Sequence, residues 1–429
     1  MRSCIIIGGG IAGLASAANI TKQKIKVTLL ESSPKLGGRA YSFTDKKTND
    51  ILDNGQHILM GCYSDTIKFL RLIGAEDNFV YQKRLTVNYL KSGFELFKLE
   101  AGPLFYPFNL LTGLLNFNAI NLRDRLSLIR FMIKLPFTSN QKLIKRSVRE
   151  WLIEEKQSNN ATSSFWEIIA IGALNTNIDK ASAFMFREIL MKIFFNGSFA
   201  STIIIPKYGL TESYVNDAKN YIENNGGEIR TSYPVKQFDI VNNKIIAIKT
   251  AEETIKDFDY VISAVPFYAF NKIYPELFLD DDIDLEYSSI LNVHIWLKNN
   301  PLNEQFYGLI NSPVHWIFNK GTHINLVISD ADYLIDKSSE EIYRMCVDEL
   351  INYTEIKESD ILNYKVLKEK RATFIPSNKI IYSRPSSKTK ISNLFLAGDW
   401  TDTGLPSTIE SAVKSGRVTA ELILIECQM

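Results

Sequence analysis

The first 31 residues follow the pattern of a strand, a tight glycine turn, a helix and a second strand. The stretch SCIIIGGGIAGLASAANITKQKIKVTLLE contains Gly8, Gly10 and Gly13 at the spacing GxGxxG, and Glu31 closes the second strand. In such a unit the first glycine permits the turn, the second lets the backbone approach a pyrophosphate, and the third allows close helix–strand packing. Glu31 can accept hydrogen bonds from a ribose diol. The pattern predicts a dinucleotide site, which also includes Ile11, Ala12 and Ser32. The alternative is a purely structural glycine turn.

A second phosphate contact is predicted in SSPKLGGRAYSF, where Gly37 and Gly38 precede Arg39. The glycines permit close backbone approach, and the guanidinium is a planar fork of donors suited to phosphate. Simple NAD dehydrogenases do not need this contact, whereas FAD-binding oxidases and desaturases commonly carry it. The resemblance of this segment to those enzymes therefore favours FAD as the cofactor. The alternative is an ordinary surface loop with a solvated arginine.

The C-terminal stretch LFLAGDWTDTGLPSTIESAVKSG predicts a buried strand, a turn at Gly398 and Asp399, and a helix opening on Ser407. Glu410 lies three residues after Ser407, which is the spacing of a capping box. A helix N-terminus carries unpaired N–H groups and partial positive charge, so it suits an anionic group, either a phosphate or the pyrimidine edge of a reduced flavin. We expect Asp399 to face the ribityl–phosphate portion, and the N–H groups that meet the ring to belong to Thr408 and Ile409.

Composition excludes several classes of protein. The chain has 429 residues and a formal net charge of +1, so it is long enough for two domains or one large one, and no nucleic-acid partner is indicated. Its four cysteines form no CxxC pair, which argues against a metal ribbon or a disulfide framework and favours a reducing cytosol. No apolar run is long enough for a signal peptide or a membrane span. We expect a cytoplasmic protein without metal.

Alternating strand and helix patterns predict an α/β fold with a discontinuous Rossmann-like FAD-binding domain and an α+β substrate domain. The FAD domain is assigned to 1–85, 205–270 and 385–429, with the backbone near Val235 facing the adenine as in related flavoproteins. The substrate domain is assigned to 86–204 and 271–384.

A polar cluster interrupts the apolar run that starts at Ile51. It contains Asp53, Asn54, Gly55, Gln56 and His57, and a helix with Tyr63 at its start follows. Polar groups in an apolar setting need partners or a purpose. His57 is a candidate proton donor that Asp53 or Gln56 would orient. The alternative is that Asp53 and His57 only tie a loop to the sheet. We do not expect the other three histidines to be catalytic: His294, His315 and His323.

The stretch GPLFYPFNLLTGLLNF, residues 102–117, is apolar on nearly every side but too short to span a bilayer. Three interpretations stay open at this point: an interfacial membrane segment, the mouth of an apolar tunnel, or an ordinary core helix.

Four stretches together resemble the bacterial hydroxysqualene dehydroxylase family, which is grouped with phytoene desaturases and flavin amine oxidases. They are DNGQHILMGCY, WEIIAIGALNT, IIIPKYGLTESYV and LAGDWTDTGLPSTIESAVKSGR. The likeness runs in order along nearly the whole chain, although 270–385 matches loosely. Asp402 departs from the family pattern, where a small or apolar residue is expected.

The resemblance implies that a hydrophobic C30 isoprenoid alcohol loses its allylic hydroxyl to give squalene, as in hopanoid biosynthesis. It also implies that the backbone of Asn54 and Gly55 contacts the flavin, whose N5 supplies hydride. His57 is the first candidate for protonating the hydroxyl, and Asp53 or Tyr63 is the next. An external reductant must reload FAD, and the insoluble substrate suggests contact with the inner face of the membrane. The rival functions are a C30 or C40 polyene desaturase, a flavin amine oxidase and a non-enzymatic isoprenoid-binding flavoprotein.

Overall fold

A parallel sheet of five strands forms one half of the molecule. The computed structural model of the protein describes residues 2–23, 25–279 and 283–428. All neighbouring strands in this sheet are parallel, and most of their side chains are buried, as the runs CIII and VTLL predict. The strands, in spatial order, are Glu228–Arg230, Lys26–Leu30, Ser3–Ile7, Tyr260–Ser263 and Leu394–Leu396.

Helices pack against the parallel sheet and bring the two ends of the chain together. The first helix, Ile11–Thr21, packs closely against the last helix, Ile409–Gln428. A Cβ added at Gly416 would lie 2.5 Å from the carbonyl oxygen of Ala12, so this contact requires glycine. The other helices of this half are Ser64–Leu72, Asn216–Asn224, Phe267–Ile273 and Asn378–Ser383.

Three small sheets border the parallel sheet. Antiparallel pairing joins the strands within each of them. Their strands are Val235–Val241, Lys244–Thr250 and Thr254–Ile255 in the first; Ser42–Thr44 and Ile51–Asp53 in the second; Leu59–Met60, Ile203–Pro206 and Phe79–Tyr81 in the third.

A seven-stranded mixed sheet forms the other half. Its pairings are antiparallel except where Phe306–Leu309 runs parallel to Thr86–Lys91. The apolar face of the sheet packs on the helix Ser339–Tyr353. The strands, in spatial order, are Ile361–Phe374, Tyr287–Leu297, His323–Ile328, Trp316–Asn319, Phe306–Leu309, Thr86–Lys91 and Glu95–Glu100.

A helical layer lies beside the mixed sheet and shares one apolar core with it. A π-helical turn at Thr162–Trp166 precedes the helix Glu167–Leu174 of this layer. A second π-helical turn, Thr211–Val215, precedes Asn216–Asn224 beside the parallel sheet. The α-helices of the layer are Phe108–Asn116, Leu122–Lys134, Asn140–Leu143, Val148–Glu154, Asn159–Ala161, Glu167–Leu174 and Ala183–Phe194. Single 3-10 turns lie at Glu76–Asn78, Leu135–Phe137, Ser198–Ser201, Pro275–Phe278, Asp332–Leu334 and Glu358–Asp360.

The α/β architecture predicted from the sequence is confirmed, with a parallel sheet on one side and a mixed sheet on the other. Strands of the parallel sheet come from all three chain segments assigned to the FAD domain. The boundaries of the two domains stay a prediction.

Candidate active site

The glycine turn after the first strand leaves the start of the first helix without a side-chain cap. Gly10 is the N-cap residue and has no side chain to cap the helix. A Cβ added at Gly13 would lie 1.9 Å from the carbonyl oxygen of Gly8, so close helix–strand packing depends on this glycine. The first N–H groups of the helix, on Ile11 and Ala12, have no intrahelical partner. An anionic group fits at this position.

The carboxylate of Glu31 holds the glycine turn. One oxygen accepts from the N–H of Gly9 at 2.6 Å, and the other accepts from the N–H of Ser33 at 2.7 Å and from the hydroxyl of Ser32 at 3.2 Å. The N–H of Tyr233 donates to the Glu31 carbonyl at 2.8 Å, which brings the start of the strand at Val235 close to this residue. The nucleotide-binding roles of Glu31, Ser32 and Val235 stay predictions.

An ion pair joins the two ends of the chain at the mouth of this turn. Arg39 Nη2 lies 2.5 Å from Asp399 Oδ1, and its Nη1 donates to the carbonyl of Ala372 at 2.9 Å. The other oxygen of Asp399 accepts a hydrogen bond from the hydroxyl of Ser407. Gly38 lies at the same place, since a Cβ added to it would be 3.0 Å from the Cα of Gly10.

The predicted capping box at Ser407 and Glu410 is wrong. Thr408 caps the last helix, because its Oγ1 accepts from the N–H of Ser411 at 3.2 Å. The hydroxyl of Ser407 is already engaged with Asp399, so it does not accept from the helix. The helix itself begins at Ile409, as predicted within two residues.

The buried carboxylate of Glu410 caps a different helix. It accepts from the N–H of Asp65 at 3.0 Å and from the N–H and hydroxyl of Thr66 at 2.8 and 2.7 Å. Burial raises its pKa above the ordinary value, and these hydrogen bonds act against that rise. Glu410 thus ties the start of Ser64–Leu72 to the start of the last helix.

Asp53 is fully engaged in holding its loop. Its Oδ1 accepts from the hydroxyl of Ser42 at 2.7 Å and from the N–H of Leu210 at 2.9 Å. Its Oδ2 lies 3.3 Å from Lys320 Nζ and 3.4 Å from Gln56 Nε2. The structure therefore brings Asp53 and Gln56 together, and it adds a lysine that sequence reasoning missed.

Asn54 connects the polar loop to the segment around Arg39. Its side chain accepts from the N–H of Tyr41 at 3.1 Å and donates to the carbonyl of Arg39 at 2.6 Å. Its carbonyl accepts from Asn292 Nδ2 at 3.4 Å, and a Cβ added at Gly55 would lie 3.8 Å from the same nitrogen. Asn292 comes from the mixed sheet, so both halves of the molecule meet at this loop.

The surroundings of His57 favour the neutral ring over the protonated one. Burial lowers its pKa below the ordinary value; attraction by Asp53 opposes this effect, and repulsion by Arg39 adds to it. Tyr63 packs against the core around the first helix, and burial raises its pKa. Among the described residues, no hydrogen bond or ring contact joins Tyr63 to His57. The acid role of each residue stays a prediction.

The strand Tyr287–Leu297 presents a second polar row that sequence reasoning missed. Trp296 Nε1 donates to Asp50 Oδ2 at 2.6 Å, and both ring nitrogens of the buried His294 lack a hydrogen-bond partner. The His294 and His323 rings lie 5.2 Å apart, and burial lowers their pKa values to about 3 and about 4. The signal was present in the alternation of LNVHIWL, whose polar positions share one face.

Arg384 is a further buried residue near the C-terminal turn. Its Nη1 donates to the carbonyl of Leu405 at 2.8 Å and to that of Asp399 at 3.4 Å. Asp402 lies 3.7 Å from its Nη2, with most of its side chain in solvent. The residue that departs from the family pattern thus supplies a counter-charge to a buried guanidinium.

Metal clusters and membrane-spanning helices are both absent from the part of the chain that the structure describes. No cluster of histidine, cysteine, aspartate or glutamate in these ranges is arranged to hold a metal ion. Likewise, none of the helices described here combines the length and the apolar character that crossing a bilayer requires.

Comparison with known proteins identifies the family of this chain. Residues 11–424 match the model of the family described as flavin containing amine oxidoreductase. The hydroxysqualene dehydroxylase of Zymomonas mobilis is 28% identical over 425 residues, 98% of each chain. A zeta-carotene desaturase of Synechocystis is 23% identical, covering 98% of this chain and 96% of the relative. Cyclohexylamine oxidase from Brevibacterium oxydans shares the fold, with a TM-score of 0.73, 15% identity and full coverage of both chains. The chain therefore belongs to the flavin containing amine oxidoreductase family, whose members are FAD-dependent oxidoreductase enzymes.

Proposed function

We propose that this protein binds FAD and replaces the allylic hydroxyl of a C30 isoprenoid alcohol, hydroxysqualene, with hydrogen to give squalene. The observation that carries this proposal is the similarity to the Zymomonas mobilis hydroxysqualene dehydroxylase, which extends over 98% of both chains. The reaction consumes one hydride and one proton and releases water. An external reductant restores the flavin after each turnover.

The residues at the parallel sheet fit FAD. The open start of the first helix, Gly38 and Arg39 suit the pyrophosphate, and Glu31 suits the adenosine ribose. The last helix contacts Ala12 through Gly416, and Thr408 precedes Gly416 by about 12 Å of helix. The start of the last helix can therefore meet the far end of a cofactor whose pyrophosphate lies at the first helix. A bound reduced FAD supplies the hydride.

In this proposal apolar side chains surround the reacting carbon. The segment that follows His57 enters the core shared by the helical layer and the mixed sheet, where Ile58 and Met60 pack with Ile203 and Trp316. An interior of this kind excludes water from a developing allylic cation. It also suits a substrate whose binding depends on burial of hydrocarbon.

In this proposal His57 donates the proton that lets the hydroxyl leave as water. Asp53, held by Ser42, Leu210 and Lys320, keeps the loop in place. Because burial lowers the pKa of His57, the ring is protonated only below its ordinary range. The turnover rate at saturating reductant is therefore expected to rise as the pH falls below about 6.5, the ordinary pKa of histidine.

The test is anaerobic mixing of dithionite-reduced holoprotein with hydroxysqualene, following flavin reoxidation and squalene formation together. His57→Gln should slow both signals by about 100-fold or more, the usual contribution of an acid catalyst. His315→Gln is the matched control, because His315 is also half-buried with a lowered pKa, and its Nδ1 accepts from the N–H of Ser329 at 3.2 Å. A full rate in His57→Gln removes this residue from the acid role.

A second candidate function is polyene desaturation, supported by the similarity to zeta-carotene desaturase. Oxidised holoprotein given C30 or C40 polyene precursors would then form new double bonds, while reduced protein would leave hydroxysqualene unchanged. Tight binding of isoprenoid without any flavin turnover would instead favour a carrier.

A further inference from the structure

The helix Leu122–Lys134 is apolar on its outer face as well as on its inner one. Its inner side chains Leu128 and Phe131 are buried in the core of the helical layer. Leu122, Leu126 and Ile133 recur at spacings of four and seven on the opposite face, and they are 57%, 53% and 59% exposed. A surface helix of a globular protein normally places polar residues there. This outer face therefore lacks a partner within the described chain.

Neighbouring segments extend the apolar face. Phe105 is 74% exposed and Phe137 is 85% exposed, more than most large apolar side chains of the protein. The rings of Phe105 and Phe108 contact each other at 5.2 Å, and the helix Phe108–Asn116 packs on Leu122–Lys134. We call the following set the docking surface: Leu104, Phe105, Phe108, Leu115, Leu122, Leu126, Ile133 and Phe137, with the flanking cations Arg123 and Arg130.

The docking surface lies in a strongly basic part of the chain. Residues 101–146 contain seven lysines and arginines and one aspartate, a net charge of +6, whereas the whole chain carries +1. Arg123 and Arg130 are exposed beside the apolar stripe, and neither forms an ion pair with any described residue. The single acid, Asp124, is buried and accepts hydrogen bonds from Ser158 and Asn160.

We propose that this surface docks onto a bilayer that carries anionic lipid headgroups. Apolar side chains rimmed by cations are the composition of an interfacial membrane-binding helix. A second copy of the chain is disfavoured, because a symmetric contact would bring two segments of charge +6 together. Headgroup phosphates instead attract the arginines, and the leucine, isoleucine and phenylalanine side chains enter the acyl boundary.

The inner side of the same helices points to the apolar interior. Leu114, Leu128 and Phe131 belong to the core that also contains Ile203 and Phe318. If the proposed function holds, a bilayer-dissolved isoprenoid reaches the interior from the side where the protein is docked. This consequence rests on the proposed function, whereas the docking itself rests on the exposed side chains and the charge.

The experiment is flotation of FAD-loaded protein, without substrate, with vesicles of phosphatidylcholine alone or mixed with phosphatidylglycerol. The protein should float with the mixed vesicles, bind weakly to phosphatidylcholine, and be released by high salt. Leu126→Ser with Ile133→Ser should lower the partition coefficient at least about tenfold. Arg123→Gln with Arg130→Gln should lower it about 25-fold on mixed vesicles, since each charge near such a surface contributes about fivefold.

Matched controls come from exposed positions elsewhere. Leu362→Ser removes an apolar side chain that is 67% exposed, and Lys236→Gln with Lys370→Gln removes two exposed cations. Both controls should float like the unmodified protein. Three results would overturn the proposal. They are equal binding to both vesicle types, unchanged binding of the two test variants, and a dimer in solution that Leu126→Ser with Ile133→Ser abolishes. Flotation is measured without turnover, so an inactive enzyme that still floats contradicts only the proposed function.

Discussion

Single side chains connect parts of the molecule that are hundreds of residues apart. Arg39 pairs with Asp399, and Asn54 holds the carbonyl of Arg39. Arg384 donates to two carbonyls of the turn that leads into the last helix, and its own side chain has no exposed surface. These contacts decide where the start of the last helix lies relative to the glycine turn.

Arg384→Lys tests whether the guanidinium positions this turn. A lysine keeps the charge but lacks the planar fork, so it cannot donate to Asp399 and Leu405 in the same geometry. Loss of one buried hydrogen bond should lower the free energy of unfolding by about 1 to 3 kcal/mol. FAD affinity, measured by fluorescence titration, should fall with it.

The control for this variant is Arg371→Lys, because Arg371 is exposed and lies over the ring of Tyr268 at 4.4 Å. Its free energy of unfolding should change by less than about 0.5 kcal/mol. Equal stability of Arg384→Lys and the unmodified protein would show that the turn does not depend on the guanidinium.

Whole elements were predicted better than their ends. The run IESAVKSGRVTAELILIEC predicts a helix, and the structure has one at Ile409–Gln428. The capping residue was misassigned, because Ser407 hydrogen-bonds to Asp399 and Glu410 caps a helix more than 340 residues away in the chain. Local spacing identifies a possible cap, but a competing partner from another element decides its use.

Thr408→Ala should destabilise the start of the last helix. The variant removes the oxygen that accepts from the N–H of Ser411, and losing such a cap costs about 1 kcal/mol of unfolding free energy. Thr408→Ser retains the acceptor and should keep most of the stability. Denaturant unfolding of both variants measures the difference, and equal losses would show that the hydroxyl is not the stabilising group.

All four histidines of the molecule have lowered pKa values; His294 and His323 are buried, and His57 and His315 are half-buried. Burial lowers the pKa of His294 to about 3 and those of His315 and His323 to about 4, and it also lowers that of His57. An unfolded histidine has a pKa near 6.5, so below that pH the unfolded state binds protons that the folded state refuses. Stability is therefore retained above about pH 6.5 and lost as the pH falls toward 4.

For each fully buried histidine, the free energy of unfolding should fall by about 1.4 kcal/mol for each pH unit below about 6.5. Urea unfolding of the holoprotein between pH 6.5 and 4.5 should show this decline in unfolding free energy. In His323→Asn the slope of unfolding free energy against pH should be smaller by about 1.4 kcal/mol per pH unit. Carboxylates such as Asp45, whose pKa is lowered to about 2, lose their contribution only below this window. An unchanged slope in His323→Asn would mean that this ring is protonated in the folded state.

Most of the architecture could be predicted because the signals are local. Glycine spacing, apolar strands and helix periodicity identify the parallel sheet and its first and last helices. The polar loop from Asp53 to His57 was also visible, because a dense polar cluster between apolar runs stands out in the chain. Lys320 and Asn292 were not visible, since each is an ordinary residue until a distant segment packs against it. Arg384 was not visible because its burial depends on how the C-terminal turn folds back over it.

The amino-acid sequence by itself determined the cofactor class and the order of elements, because backbone conformation and apolar periodicity depend on near neighbours. Only the tertiary structure decided which polar groups are partners, which histidines are neutral, and which apolar side chains stay exposed. Those properties depend on burial and on contacts between residues far apart in the chain. The outer face of Leu122–Lys134 illustrates the difference, since only the fold shows that its leucines stay in solvent.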